Sequence, residues 1–426
     1  MYQAPRGTQD ILPEDIPYHL HVEETARKLA AIYGYQEVRT PTFEDSGLFR
    51  KGTGETTDIV EKEMYSFIDK GNSDVTLRPE ATPSMMRLYL QHGLHARPQP
   101  LRLFQILNCF RYDRPQAGRQ REFHQFDAEA IGEEDAAVDA ELITLFWRFC
   151  EALGLSELSL ELNSIGDPVC RPKYLDALRQ HYASQEENLC GDCRRRLALN
   201  PLRLLDCKVP TCQPVANTAP AFTDHLCDEC HAHFEQLLAA LKAEGITPTI
   251  NRRLVRGLDY YTRTVFELYP PKMGQQSALG GGGRYDGLAE ILGGRHTPAV
   301  GFASGIERLV LNLKEQGIEV PAASAVTAFV GHVGDSAAAV AAASEFAREL
   351  RGQDISVLRA VGQRSIRARL RHADAAGVHW TVLIGDEEVQ SVTVSLRNMS
   401  EREPVTIPMN QALDRIVTSA ERQQRD

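Results

Sequence analysis

Apolar and polar positions recur at helical spacing over residues 16–32 and stop at Gly34, so the chain opens with an amphipathic helix ended by a residue suited to a left-handed turn. Residues 35–40 then alternate as a short strand before Pro41. Residues 101–110 read as an apolar strand, 111–121 as a polar loop rich in arginine, and 122–131 as a second alternating strand. Helical spacing returns at 139–153, followed by a strand at 158–162. From about 168 to 251 the character changes to short helical runs that hold most of the cysteines, the pattern of an inserted small domain. Residues 262–269 alternate as a strand, and 300–313 read as a glycine-interrupted helix after a short strand. A linker at 319–324 leads to strand-like and helix-like stretches at 326–330, 336–350, 355–358, 365–373, 379–384 and 391–396. These predict a final α/β domain of about a hundred residues, a common size for an independent unit.

The length of 426 residues requires more than one simple core. A formal charge of −11 argues against a general polyanion binder, so any nucleic-acid contact is local. No apolar run approaches the length of a membrane span, and the first ten residues lack the basic start and apolar stretch of a secretory signal. A cytoplasmic protein without membrane partners is expected. Nine cysteines in such a chain favour thiols or metal ligands over a disulfide framework.

The densest chemistry is Arg256-Gly257-Leu258-Asp259-Tyr260-Tyr261, which sets a charged fork and two phenols beside the predicted strand 262–269. That combination suits a pocket for a small charged molecule, although an edge strand with a solvated arginine is the commoner meaning of such a hexapeptide. Its company changes the balance: Leu279-Gly280-Gly281-Gly282-Gly283-Arg284-Tyr285-Asp286-Gly287, then Val300-Gly301-Phe302-Ala303-Ser304-Gly305-Ile306-Glu307-Arg308. Upstream stand Thr76-Leu77-Arg78-Pro79-Glu80-Ala81-Thr82, Phe110-Arg111-Tyr112-Asp113-Arg114-Pro115-Gln116 and Arg121-Glu122-Phe123-His124-Gln125. The four glycines lack the Lys-Ser/Thr ending of a P-loop and suggest close approach of the backbone to a substrate.

In these blocks the chain resembles the bacterial histidine-tRNA ligases, or histidyl-tRNA synthetases, of the class II aminoacyl-tRNA synthetase family, over nearly its whole length. The resemblance implies an α+β fold: a catalytic domain over 1–320, with an antiparallel sheet, flanking helices and an insertion at about 168–251, then an α/β anticodon-binding domain over 325–426. It implies ATP-dependent ligation of L-histidine to its tRNA through a histidyl-adenylate, with release of AMP and diphosphate, in a homodimer built on the first helix, strand and Pro41. Arg256 would bridge the histidine carboxylate and the α-phosphate as the catalytic residue. Histidine would be held by Glu80, Thr82, Gln125, Glu129, Tyr260, Tyr261 and Tyr285. ATP, carrying Mg2+, would meet Arg111, Arg119, Phe123 and Arg308, with Asp113 and Glu122 as weaker candidates for the adenine amine or the metal. The tRNA would meet Arg114 and Gln116 at its acceptor end, and Arg364 and Arg367, part of a stripe with Arg371, in the last domain. Ala81-Thr82-Pro83-Ser84 departs from the usual Gly-Thr-Ala, where glycine can reach angles alanine cannot.

Two questions stay open at this stage. Cys190, Cys193, Cys227 and Cys230 form two Cys-x-x-Cys pairs that could together hold a structural Zn2+, or remain reduced thiols; Cys207 and Cys212 lie between them. The alternative function is the synthetase-like regulatory subunit of ATP phosphoribosyltransferase in histidine biosynthesis, which shares the fold and lacks the C-terminal domain.

Overall fold

A computed structural model describes residues 2–55, 57–270, 278–321, 326–362, 365–401 and 403–423. The chain forms two compact units, Met1–Val320 and Pro321–Asp426. Arg364 and the second half of the linker at 319–324 lie outside the described residues.

The first unit is organised by an eight-stranded sheet in the order Gln36–Glu37, Leu101–Phe110, Glu122–Ile131, Ala299–Gly305, Gly280–Arg284, Thr262–Tyr269, Ser159–Ser164, Thr249–Ile250. The six central strands pair antiparallel, and only the two short end strands join in parallel. One face carries the helices Ile16–Ile32, Ala136–Ala152, Asp228–Ala243 and Ile306–Glu315, whose apolar stripes bury Ala26, Phe149, Leu237 and Leu309 against Phe126, Phe266 and Phe302. Burying rings of this size contributes about 1.5–3 kcal/mol each. The opposite face is left for the cleft. A second sheet, Phe43–Asp45, Asp74–Leu77 and Tyr65–Ile68, has no counterpart in the sequence pattern.

Helix and strand periods read from the sequence appear close to where they fall, with instructive departures. The expected strand at 35–40 shrinks to Gln36–Glu37. The expected helix over 300–313 is a strand, Ala299–Gly305, that turns at Gly305 into the helix Ile306–Glu315. Val300 and Phe302 bury on one side of that strand, so its alternation is genuine and the helical spacing starts only at Ile306. Residues 168–251 supply the helices Arg171–Ala183, Gly191–Leu199, Gln213–Asn217 and Asp228–Ala243. Their Tyr174, Leu178 and Cys193 share one apolar cluster with Met85, Tyr260 and Tyr285.

The second unit holds a five-stranded mixed sheet, ordered Val357–Arg359, Ala328–His332, Trp380–Ile384, Thr393–Asn398, Val405–Pro408. The helices Ala337–Gly352 and Met409–Gln423 cover a core of Val330, Phe346, Val382, Leu396 and Ile416. No helix among the described residues is long and apolar enough to cross a membrane.

Candidate functional site

A cleft of about 390 Å³ opens over the free face of the large sheet. The hairpin Leu101–Phe110 and Glu122–Ile131 places its residues by parity, since side chains two apart on a strand share a face. Thus Phe123, Gln125 and Asp127 line the cleft in a row. Glu129 lies next in the same row, two strands' width from Tyr285, whose hydroxyl donates to it in a short bond. Thr82 donates to the other Glu129 oxygen at 2.8 Å. Gly301, directly opposite Glu129, has no room for a side chain: a Cβ there would stand 1.5 Å from the carboxylate.

This end of the cleft concentrates negative charge. Glu80 is buried and accepts from Thr53 at 2.5 Å and from Tyr260 at 2.7 Å. Burial raises its pKa, and burial pushes Glu129 up to about 8 against the hydrogen bonds from Tyr285 and Thr82. Asp127, which the sequence reading passed over, is raised well above the usual carboxylate range, by burial and by its neighbours Glu129 and Glu80. Its Oδ1 is buried without a hydrogen-bond partner among the described residues. Three carboxyl groups held close together and away from water call for a cationic or multiply donating ligand. Tyr260, Tyr261 and Tyr285 wall the same space, with ring centroids 4.7 Å apart for the first pair and 5.6 Å for Tyr260 and Tyr285.

The other end concentrates positive charge. Arg111, Arg119, Arg256 and Arg308 all line it. Arg111 spends its Nε on the Pro79 carbonyl at 2.8 Å and lies 5.4 Å above the Phe123 ring. Arg119 pairs with Asp113 at 2.9 Å across the loop. Among the described residues Arg308 binds only backbone carbonyls, those of Gly118 and Ala278. Burial, with Arg119, Arg111 and Arg256 beside it, lowers the Arg308 guanidinium to about 10. Four like charges gathered this closely are stable only opposite a polyanion. The helix carrying Arg308 is fixed by Glu307, which accepts from the His124 backbone at 2.9 Å and faces its ring nitrogen at 2.8 Å.

Arg256 lies between the two ends. Burial opposes its charge, yet the Glu267 carboxylate, in a short ion pair with Nη1, and the Tyr261 hydroxyl hold its pKa above the ordinary guanidinium value. Its Nε is buried with no partner among the described residues, leaving a donor for a ligand. The strand Thr262–Tyr269 supplies Glu267 at the parity the sequence pattern shows, although its pairing role was not foreseen.

The glycine run is a strand, not a loop, and only Gly280 and Gly281 line the cleft. At Gly283 the missing side chain admits the Tyr261 ring, which a Cβ would meet at 2.9 Å, so close approach serves packing as well as substrate. Ala81 sits at φ −99° and ψ −32°, angles open to any residue, so its departure from glycine strains nothing. Asp113 lines the cleft, whereas Glu122 accepts from Asn108 at 3.2 Å and does not. Arg114 and Gln116 are exposed on the loop outside the cleft, where Gln116 and Arg119 pair through their backbones.

One expectation needs correction. Cys190, Cys193, Cys227 and Cys230 do not form one set: Cys190 and Cys193 gather with Cys207 and Cys212, while Cys227 and Cys230 gather with Asp167 and Cys170. Linear spacing paired the wrong ligands because the chain between the knuckles doubles back. In the second unit the structure describes only part of the arginine stripe. Arg367 and Arg371 are exposed on the helix Ile366–Ala375, Arg369 is buried against His332, and Arg364 precedes the helix among residues the structure does not describe.

Comparison with known proteins agrees with this geometry. A family profile described as histidyl-tRNA synthetase matches residues 7–309, and one described as an anticodon binding domain matches 325–419. The chain is 52% identical over 413 residues to a histidine–tRNA ligase of Dehalococcoides mccartyi, covering 97% of this chain and 98% of that one. It is 45% identical over 397 residues to a histidine–tRNA ligase of Caldicellulosiruptor saccharolyticus, covering 93% and 94%. The crystal structure of apo Staphylococcus aureus histidyl-tRNA synthetase superposes with a TM-score of 0.82 at 37% identity, covering 98% of this chain and all of that one.

Proposed function

The chain belongs to the histidyl-tRNA synthetase family and charges tRNA with histidine, and from that premise we propose how its cleft divides the work of ATP-dependent adenylation. The regulatory-subunit alternative is not favoured, since residues 325–419 match an anticodon-binding domain. The observation that carries the proposal is the opposed charge of the two ends, with Arg256 between them.

In this reading ATP, with its Mg2+, occupies the arginine end. Arg111 faces the α-phosphate, Arg119 and Arg308 face the γ-phosphate, and the half-buried Phe123 ring offers a platform for adenine. Histidine occupies the carboxyl end. Glu80, Thr82 and Gln125 take its ammonium; Glu129 and Tyr261 take the imidazole; Tyr260 and Tyr285 close the walls. Asp127, with its unpartnered oxygen, joins the groups that face the ammonium. The histidine carboxylate then meets the α-phosphate beside Arg256. Its charge stabilises the negative charge that gathers on phosphorus as the carboxylate oxygen attacks and diphosphate departs. Buried groups paired only by imidazole would be left unpaired by other amino acids, which gives selectivity on the order of 10⁴ to 10⁵ without editing.

Arg114 and Gln116 are assigned to the acceptor end of tRNA, Arg367 to the anticodon side, in the catalytic and anticodon-binding divisions 1–320 and 325–426. The setting is the cytoplasm, where tRNA is charged. A homodimer is supported by exposed Leu20 and Ile32 on the first helix and Phe43 beyond Pro41, and sedimentation velocity tests it. For the central assignment, Arg256→Ala keeps the fold and lowers histidine-dependent ATP–pyrophosphate exchange by about 10² to 10³. Exchange near the parent rate would refute it.

A further inference from the structure

We propose that residues 165–230 hold two separate structural zinc ions, one at Cys190, Cys193, Cys207 and Cys212, the other at Asp167, Cys170, Cys227 and Cys230. In each group one donor atom from every residue lies within 4.8 Å of all the others. Tetrahedral thiolates at about 2.3 Å from zinc stand about 3.8 Å from one another, so small inward shifts suffice to close either site. The 4.0 Å between the Cys190 and Cys207 sulfurs is far beyond a disulfide bond of about 2.05 Å.

Both sites share a construction. Each Cys-x-x-Cys knuckle begins a helix: Cys190 precedes Gly191–Leu199 and Cys227 precedes Asp228–Ala243. Backbone N–H groups at a helix start can donate to a sulfur held there. The first site already shows such bonds, from the Cys193 N–H to Cys190 Sγ at 3.5 Å and from the Cys190 N–H to Cys212 Sγ at 3.2 Å. In the second site Asp167 Oδ1 accepts from the Val169 and Cys170 amides at 2.9 and 3.1 Å. That fixes the carboxylate and turns Oδ2 toward Cys227 Sγ, 4.0 Å away. Four convergent soft donors, or three with one oxygen, select zinc over the hard ions that ATP brings.

The sites differ in what they fasten. The first closes a loop within the insertion. The second joins the start of the insertion, at Asp167 and Cys170, to the start of its last helix, at Cys227 and Cys230, and abuts the catalytic wall. Arg171, next to Cys170, donates to the carbonyl of Tyr261 at 2.6 Å, and Arg263 Nη2 lies 3.9 Å from Asp167. Neither ion reaches the cleft, so their role is structural.

The test is metal content of the full-length protein, expressed with zinc and purified without chelators. About two zinc ions per chain are expected, falling to about one in Cys207→Ser and to about one in Cys230→Ser. X-ray absorption at the zinc edge should give about 3.5 sulfurs per ion, the mean of an S4 and an S3O site. A mercurial titration of the unmodified protein, with a chromophoric chelator present, should release both ions, so the count does not depend on any variant folding. Less than a tenth of an ion per chain overturns the proposal, as does one ion lost equally in both variants, which would mean a single shared site. None of these readouts depends on aminoacylation, so they stand apart from the assignment of the cleft.

Discussion

Arg256 and Arg284 come from neighbouring blocks of the sequence, the first half-buried on the cleft and the second fully buried, and they do opposite things. Arg284 has every nitrogen engaged: Nε with Asp139 at 3.0 Å, Nη1 with the Glu133 carbonyl at 2.9 Å and Asp286 at 3.1 Å, and Nη2 with Asp139 again. Asp139 is completed in turn by Thr264 at 2.6 Å. Among the described residues Arg256 has one carboxylate partner and an unpaired Nε, and Arg308 has only carbonyls. A guanidinium whose five donors are spent holds the fold, and one with donors in reserve on a cleft holds a ligand. The difference is invisible in residue type; it lies in the partner list, and burial follows it.

The strongest way to break this contrast is at Asp139. Removing one partner of a buried pair leaves the other charge uncompensated, so Asp139→Ala should cost about 3–5 kcal/mol in urea unfolding of the protein. A loss below about 1 kcal/mol would show that Arg284 is not a keystone of the core. The mirror experiment is Arg308→Met. Relief of repulsion from Arg119, Arg111 and Arg256 should leave the denaturation midpoint unchanged or raised. ATP binding should weaken by about 1.5–3 kcal/mol, roughly 10- to 100-fold, with the KM for histidine unchanged. A fall in stability with no change toward ATP would place Arg308 beside Arg284 rather than beside Arg256.

The carboxyl end sharpens the contrast through pH. Burial holds the Glu129 pKa at about 8, next in the strand row to the cleft-lining Asp127. A raised carboxyl pKa favours the fold below the unfolded value, near 4.5, and that contribution is lost as pH rises through 8. A ligand that donates to Glu129 draws it into the charged form, so histidine binding releases on the order of one proton near pH 7. Histidine affinity should therefore rise with pH up to 8, at a limiting slope of about 1.4 kcal/mol per unit, and then level off. Calorimetry in buffers of different ionisation heat measures the proton. Glu129→Gln should abolish its release, and an undiminished release would move the titrating group elsewhere, with Asp127 the next candidate.

Much of this cleft is legible in the sequence because strand parity carries it. Once 122–131 is read as a strand, Phe123, Gln125 and Glu129 share a face, and Asp127 necessarily shares it too; only attention to the family blocks let it pass. Glu267 was equally accessible, five positions beyond Thr262 on an alternating strand. What could not be read is whatever depends on chain return. The break between Ala299–Gly305 and Ile306–Glu315 hides because Gly305 interrupts two apolar periods that abut. The cysteine partners hide because Asp167 and Cys170 precede the insertion's first helix and meet Cys227 and Cys230 only through the fold. Arg284 hides among catalytic motifs because Asp139, its partner, is 145 positions away.

The second unit repeats the contrast on a smaller scale. In the helix Ile366–Ala375, Arg369 is buried, with Nη2 bonded to the Gly362 carbonyl at 3.0 Å and 3.0 Å from His332 Nε2. Arg367 and Arg371, four apart, face solvent on the same helix. By burial Arg369 stands with Arg284, although its Nε has no partner among the described residues, and the exposed pair is free to meet phosphates. Reversing both, Arg367→Glu with Arg371→Glu, should weaken tRNA binding by about tenfold at moderate salt. It should also flatten the slope of log affinity against log salt by about two, since each arginine that meets a phosphate displaces roughly one counterion. Histidine-dependent pyrophosphate exchange should not change, because the cleft lies wholly within the first unit. If the double reversal leaves tRNA binding and its salt slope intact, exposure on that helix is mere solvation, and the anticodon-side contact must be sought on another face.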